Sequence, residues 1–500
     1  MPTDDNSIGD QQRIRLALAQ LGYENVHFSL AVLRQLYPAC RNSNFDITVS
    51  LAYRQQDWVV TGIEPGDCTG SHYGLAVDYG STTIVMELVD MISGKVIDRV
   101  SQVNGQTAYG TDILTRITYA MEKAEHKAAL QKATVETFDS LLEQLSERNG
   151  IDAFHCPAMI LSGNTTMIHF LLGLDAWTVF ASPYAPVSSD PGWFWGTELG
   201  MAFSGMVYII PAASNYVGGD IVSGLIKLDI HKKEETCLFF DIGTNGELVI
   251  GNRNWIAAGA GAAGPALEGY ISRYGMRAQP GAIDKVSIRG EELKFTTIDN
   301  QKPIGICGSG IIDLLAQMRL NGWIDIAGDL NPAASSRIRW FAQEEQYGAV
   351  YATEEESAAG EPLYFSQTDI RQYLDTKAAA YTMVECLLEA VGSREEDLAM
   401  CYLSGAFPAH SDLESAITIG IFPDLPRQKY CCIANTSLEG ARILLLNRER
   451  LVEIHQLLEN LYCMQFASVT DFLVRMQAAK FIPHTDMRRY PTVAEKLQKA

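Results

Sequence analysis

Basic residues are scarce in this chain: 39 lysines and arginines stand against 60 aspartates and glutamates, a formal charge of −21 over 500 residues. A surface this acidic repels phosphate backbones and anionic lipid, which excludes nucleic acid and a membrane surface as expected partners. Any bound polyphosphate would need local donors and a cation. Long apolar runs are also missing, since none reaches the roughly 18 residues of a membrane-spanning helix. The start, MPTDDNSIGDQQ, is polar and acidic with no basic segment leading into an apolar core, so no signal peptide is expected. The ten cysteines show neither framework spacing nor any C-x2-C pair. That argues against a disulfide scaffold and for a reducing cytoplasm. There is no G-x4-G-K-S/T, no H-E-x-x-H and no Cys/His zinc spacing, so a P-loop and the common zinc sites are excluded.

What is present is a pair of matching stretches, GLAVDYGSTTIVMELVD and CLFFDIGTNGELVIG. Each has an apolar strand, then Asp-x-Gly-Ser/Thr, then a second strand. A single copy reads as a plain hairpin with a capping aspartate. Two copies suggest one nucleotide served by two related half-domains. Turn N–H groups can cradle a phosphate, and Gly80 and Gly243 allow the backbone a close approach. Ser81, Thr82, Thr83, Thr244 and Asn245 add side-chain donors. Asp78 and Asp241 end their strands and are the expected Mg²⁺ ligands, directly or through water, and the first choices as catalytic residues. Asp220 and Glu247 are further candidates for a hydrolytic base.

An apolar share of 47% supports several cores, and about three domains are expected at this length. Residues 1–72 read as a small α+β domain: two amphipathic helices, the second ended by Pro38, then strand, turn, strand up to Glu64-Pro65-Gly66-Asp67. Residues 73–220 form the first half-domain, with three strands, a long helical stretch to Gly150, and further strand–helix units. Residues 221–450 repeat that order, with an insertion or mobile surface loop at about 325–375, and 451–500 form a helical extension. Strands alternating with helices in two similar series predict a duplicated α/β architecture.

At this point the chain resembles a known group. The paired turns are similar to the phosphate motifs of the superfamily of acetate and sugar kinases, heat-shock chaperones and actin (ASKHA), whose fold is ribonuclease H-like. Within it, VDYGSTT, NGQTAYGTDILTRI, LSGNTTMIHFLLGLD, FFDIGTNGELVIGN, AAGPALEGYISRYGMRA, GICGSGIIDLL and LSGAFP through ESAITIGIFPD resemble, in order, the ATP-dependent reductive activators of corrinoid proteins. The resemblance implies a duplicated actin-like ATPase fold that binds ATP with Mg²⁺. It places Asp78 and Gly80 to Thr83 in the first phosphate turn, and Asp241, Gly243, Thr244 and Asn245 in the second. Gly308, Ser309 and Gly310 resemble an anion-favouring turn at a helix start, and Ser404, Gly405 and Ala406 an adenosine-side turn. Asn164, Thr165 and Thr166 would orient water or substrate. The implied activity is ATP hydrolysis coupled to domain motion, which returns a corrinoid protein from Co(II) to Co(I).

One departure from that family pattern stands out. Full-length members carry an N-terminal iron–sulfur domain, whereas here Cys40 and Cys68 stand alone and Cys431-Cys432 are adjacent, which suits neither cluster nor zinc. The expectation is therefore no iron–sulfur cluster in these residues, with the electron supplied by a separate ferredoxin-like protein. The D-x-H-x-x-G pattern of cobalamin carriers is absent too, so the corrinoid belongs to the partner. Gly259 to Gly264 satisfies G-x-G-x-x-G with Asp284 downstream, but an Ala/Gly-rich stretch matches that pattern cheaply. His155, His169 and His410 are isolated and read as structural or exposed. Two other readings stay open on this scaffold: a small-molecule kinase, and a nucleotide-binding regulatory partner without turnover. The resemblance leaves a homodimer open.

Overall fold

The computed structural model describes residues 3–54, 57–243, 246–261, 269, 271–405 and 411–499. The chain divides into two compact units, Met1–Asp229 with Thr436–Glu459, and Ile230–Asn435 with Asn460–Ala500.

The first unit begins with helices Asp10–Gln20 and Leu30–Asn42. They pack on a three-stranded sheet ordered Val26–Phe28, Asp57–Pro65, Ile47–Arg54. The second helix does not stop at Pro38 but carries it inside and runs on to Asn42. A proline so near the end removes one backbone bond, while Ala39 and Cys40 beyond it are buried against Val60 and Ile63. That burial outweighs the lost bond.

A six-stranded sheet follows, ordered Val96–Val103, Thr83–Asp90, Tyr73–Tyr79, Ala158–Gly163, Met206–Ile209, Gly192–Trp195. The central strand Tyr73–Tyr79 reads as a continuous apolar run because both its faces are covered. Leu75, Val77 and Tyr79 join the core that includes Phe138 and Leu141 of helix Ala124–Asn149. The alternate residues Gly74, Ala76 and Asp78 point the other way, as the two-residue period of a strand requires. On that side lies helix Thr436–Leu446, which also packs on helix Gly219–Leu228. Small residues let these elements approach: a Cβ on Gly74 would sit 2.9 Å from Leu445, and one on Gly440 would sit 2.0 Å from the Ser223 carbonyl. The long helical stretch before Gly150 is two helices, Ile113–Glu122 and Ala124–Asn149, broken at Lys123 where the backbone is extended.

His169 is fully buried on helix Thr165–Leu171. Its Nδ1 donates to the Thr165 carbonyl at 2.7 Å, while Nε2 accepts from Val187 N at 3.0 Å and Ser188 N at 3.4 Å. Only the neutral ring can do both, and burial lowers its pKa below the ordinary 6.5. A depressed histidine adds stability that is complete above its ordinary value and is lost as pH falls through its folded value. The denaturant midpoint is therefore expected to fall between pH 7.5 and 5.5, and to fall less in His169→Gln. Equal losses in both proteins would contradict the assignment. His155 is exposed and bonds Asp152 at 2.7 Å, while His410 lies outside the described residues.

The second unit holds another six-stranded sheet, ordered Tyr430–Ile433, Met400–Ser404, Cys237–Ile242, Gly246–Asn252, Trp255–Gly261, Leu461–Met464. Set aside one edge strand of each sheet, Gly192–Trp195 in the first and Leu461–Met464 in the second, number the remaining five by first appearance, and both read 3-2-1-4-5. Strands 1 and 2, and 2 and 3, pair antiparallel, and strands 1, 4 and 5 pair parallel. The duplication seen in two short motifs thus extends to five strands of each sheet. Gly259 and Gly261 lie inside a paired strand, so they do not form the turn that a dinucleotide fingerprint needs.

Two expectations fail in this unit. Of the two readings of residues 325–375, insertion or mobile loop, the loop does not hold throughout: Ile338–Phe341, Gln346–Ala352 and Leu363–Ser366 form an antiparallel sheet with Tyr351 and Phe365 fully buried. The strands are short and the turn between the last two is acidic, so the pattern is weak in sequence. The stretch after 450 is not continuously helical either, because Leu461–Met464 adds a parallel strand to the sheet beside Trp255–Gly261. No described helix is long and apolar enough to cross a membrane.

Candidate functional site

In the first unit the chain leaves strand Tyr73–Tyr79 through Gly80, Ser81 and Thr82 and returns at Thr83. Gly80 has a steric reason, since a Cβ there would lie 2.5 Å from the Thr83 carbonyl. The three bend carbonyls are all engaged. Asn104 Nδ2 donates to the Gly80 oxygen at 3.0 Å, the buried Arg116 to the Ser81 oxygen at 2.6 Å, and Asn104 N to the Thr82 oxygen at 2.9 Å. With its acceptors tied down, the bend keeps N–H groups as its remaining donors, the arrangement of an anion-binding nest. Thr83 is exposed, and Ser81 and Thr82 are half-buried. Neither Asn104 nor Arg116 was anticipated as part of this bend, although both stand at or inside the segment NGQTAYGTDILTRI.

Asp78 is half-buried and precedes this bend by two residues. It accepts a hydrogen bond from Ser437 Oγ at 2.8 Å, and Ser437 Oγ lies 2.8 Å from Ser162 Oγ. Ser162 sits directly beside Asp78 in the parallel register. Asp220 occupies the first turn of helix Gly219–Leu228. Burial raises its pKa to about 7, and the negative charge of Asp78 adds to the rise. A cation between such carboxylates would relieve that repulsion, and hard oxygen donors are what Mg²⁺ takes. The residues therefore fit the metal.

Asn164 and Thr165 come to the same corner by way of Gly218, where a Cβ would lie 2.5 Å from Asn164 Cα and 2.7 Å from Asp220 Oδ1. Their side chains are already engaged: Asn164 Oδ1 caps helix Thr165–Leu171 by accepting from Met167 N at 2.9 Å, and Thr165 Oγ1 donates to the Ser214 carbonyl at 2.9 Å. Thr166 is buried.

The second unit repeats the construction. Asp241 is the penultimate residue of strand Cys237–Ile242, opposite Glu247 on one side and Ser404 on the other. Ser404 is thus the counterpart of Ser162, and both belong to a Leu-Ser-Gly triplet, 161–163 and 403–405. That repeat was legible in the sequence and passed unread. Gly405 has φ +105° and packs on the bend; a Cβ would meet the Ile242 carbonyl at 2.3 Å and Asp241 Oδ1 at 3.2 Å. Gly243 faces open space. Thr244, Asn245 and Ala406 lie outside the described residues.

Gly308 and Ser309 open helix Gly308–Leu320, whose Cys307 cap makes no side-chain bond to the helix N–H groups and donates its Sγ instead to the Ile283 carbonyl at 3.3 Å. Gly310 has a packing role, since a Cβ would lie 2.4 Å from the Ile283 carbonyl. Unforeseen in sequence is a cavity of about 600 Å³ in this unit, lined by Lys285, Lys294, Asp313, Ser411, Asp412 and Ser415. None of the ten cysteines, all described, is in a disulfide.

Comparison with known proteins follows this geometry. Models described as the C-terminal ASKHA domain, the middle region and the linker region of RACo match residues 235–494, 73–233 and 1–70. The chain is similar to the corrinoid activation enzyme RamQ of Eubacterium limosum, 32% identical over 386 residues, covering 75% of this chain and 65% of RamQ. It is 23% identical over 418 residues to the Co(II) methylated amine-specific corrinoid protein reductase of Methanosarcina barkeri, covering 76% of this chain and 71% of that protein. Among solved structures, a reductive activator for corrinoid, iron–sulfur protein matches with a TM-score of 0.87 and 35% identity, over 98% of this chain and 79% of that one. The chain thus spans about two thirds of the length of RamQ.

Proposed function

Because this chain belongs to the RACo family of corrinoid-protein activators, with the ASKHA domain of that family over 235–494, we propose that it binds and hydrolyses MgATP to drive the reductive reactivation of a corrinoid protein. The observation that carries the reading is the repeat: two sheets with five strands of one topology, each with an aspartate one residue before the end of its first strand and a glycine bend after it. Asp78 and Asp241 would hold the magnesium, and Gly80 to Thr83 with Gly243 to Asn245 would meet phosphate oxygens. When bound, Mg²⁺ neutralises charge developing on the transferred phosphoryl group. The protein's own part is to aim N–H donors and to hold the carboxylates. Asp220, whose carboxyl is pushed up by burial and by the nearby Asp78, is the candidate for taking a proton from attacking water.

Reduction of Co(II) to Co(I) is uphill with ordinary donors. ATP can drive it only if the corrinoid protein binds the nucleotide states of this protein differently. The electron would come from an iron–sulfur centre outside these residues, since the cysteines here lack cluster spacing. A cytoplasmic setting suits ten cysteines outside any disulfide. The test is phosphate release with and without a corrinoid protein. Release stimulated by that protein supports the reading. Phosphoryl transfer to a metabolite would make the chain a kinase, and nucleotide binding without turnover would make it a regulatory partner.

A further inference from the structure

The Asp78 carboxylate is held by two serines from distant parts of the chain. Ser437 Oγ donates to Asp78 Oδ1 at 2.8 Å, and Ser162 Oγ stands 2.8 Å from Ser437 Oγ. Each hydroxyl has one hydrogen to give. With Asp78 ionised, the Ser437 hydrogen goes to the carboxylate, so the Ser162 hydrogen goes to Ser437. The 3.2 Å approach of Ser162 Oγ to the Gly219 carbonyl is then left without it. The chain of bonds has one direction: Ser162 to Ser437 to Asp78.

This chain is dry and rigid. Ser162 is fully buried and Ser437 is 5% exposed. Ser437 is also gripped through its backbone, whose carbonyl accepts from Ser223 Oγ at 2.6 Å. Beneath it, Gly440 allows helix Thr436–Leu446 to lie against Ser223. Farther along the same helix, Arg442 bonds the fully buried Glu87 at 3.1 Å on the strand next to Asp78's. The helix is thus held to helix Gly219–Leu228 at Ser437 itself and to the sheet farther along, at Arg442.

We propose that Ser437 is a positioning residue, which fixes the Asp78 carboxylate in the orientation that receives a divalent cation, and that Ser162 fixes Ser437. The proposal rests on the reading that Asp78 takes the metal of MgATP. Carboxylates at metal sites are commonly oriented by such hydrogen bonds, and losing one lowers metal affinity by about 10- to 100-fold.

The test is Mn²⁺ binding, followed by electron paramagnetic resonance on the full chain with a non-hydrolysable ATP analogue. Thermal melts would run in parallel. Ser437→Ala is expected to weaken Mn²⁺ binding about tenfold or more. Ser437→Thr, which keeps the hydroxyl, is expected to restore it to within roughly threefold of wild type. A folded Ser437→Ala protein that binds Mn²⁺ like wild type overturns the inference. So does a folded threonine variant as weak as the alanine one, since the hydroxyl would then be irrelevant. Should Ser437→Ala fail to fold, Ser162→Ala carries the test: it is expected to weaken binding roughly fivefold, and an unchanged affinity overturns the role. A wild-type chain that takes up no Mn²⁺ with the analogue sinks the underlying reading, an outcome distinct from an indifferent serine.

Discussion

Lys377→Met is expected to destabilise the second unit by about 4 kcal/mol or more. Lys377 is fully buried in the middle of helix Gln367–Ala390. Its Nζ donates to three backbone carbonyls, those of Ala479, Phe481 and Pro483, the last two at 2.6 Å. Burial pushes the Lys377 pKa well below its ordinary value, while three carbonyl acceptors match the three hydrogens of the ammonium form. Gly420 makes room, since a Cβ there would lie 2.3 Å from the Pro483 carbonyl. Methionine would fill the stem's volume but leave three buried oxygens without a donor. Each such loss costs about 1–3 kcal/mol, and the three are not fully additive because they share one partner. Denaturant unfolding measures the total, and hydrogen exchange should show residues 479–483 loosening first. A loss below about 1 kcal/mol would mean the three bonds are replaceable.

Asp241→Ala is expected to weaken magnesium-dependent nucleotide binding roughly hundredfold or more, with the fold intact. Asp78→Ala is expected to do the same. Each removes a carboxylate at the end of a strand rather than an apolar core residue, and both positions are half-buried. Stability should therefore move little while the metal loses a ligand. Calorimetric titration of an ATP analogue with and without Mg²⁺ separates the effects: the magnesium-dependent part of the affinity should vanish and the remainder persist. ATP affinity unchanged in both variants would falsify the assignment of the acidic bends. A change confined to one would assign the metal to that bend alone.

Legibility in the sequence followed the range of the interaction. The bends at Asp78 and Asp241 were readable because strand, aspartate and glycine lie within a few residues. Helix Leu30–Asn42 was misread at Pro38 because the burial of Ala39 and Cys40 against a neighbouring sheet overrides a local rule. The sheet within 325–375 was missed because two of its strands are four residues long, too short to show a period. Ser162 was missed, and Ser404 was read only as part of an adenosine-side turn, for another reason. Leu-Ser-Gly is an ordinary turn in isolation and gains meaning only from its register beside an aspartate.

By itself the sequence determined that a strand–aspartate–bend unit occurs twice, that the chain is strongly acidic, and that its cysteines lack cluster spacing. Those are properties of composition and of neighbours along the chain, and they were enough to bring out the duplication. Only the tertiary structure decided that residues 436–459 pack with the first unit rather than with the segments that precede them. That return brings Ser437 to Asp78 across 359 residues. Its cause is shape: Gly74, Ala76 and Gly440 leave a surface shallow enough for one more helix to lie on the sheet. Such complementarity between remote small residues has no period and no motif, so it exists only once the chain has folded.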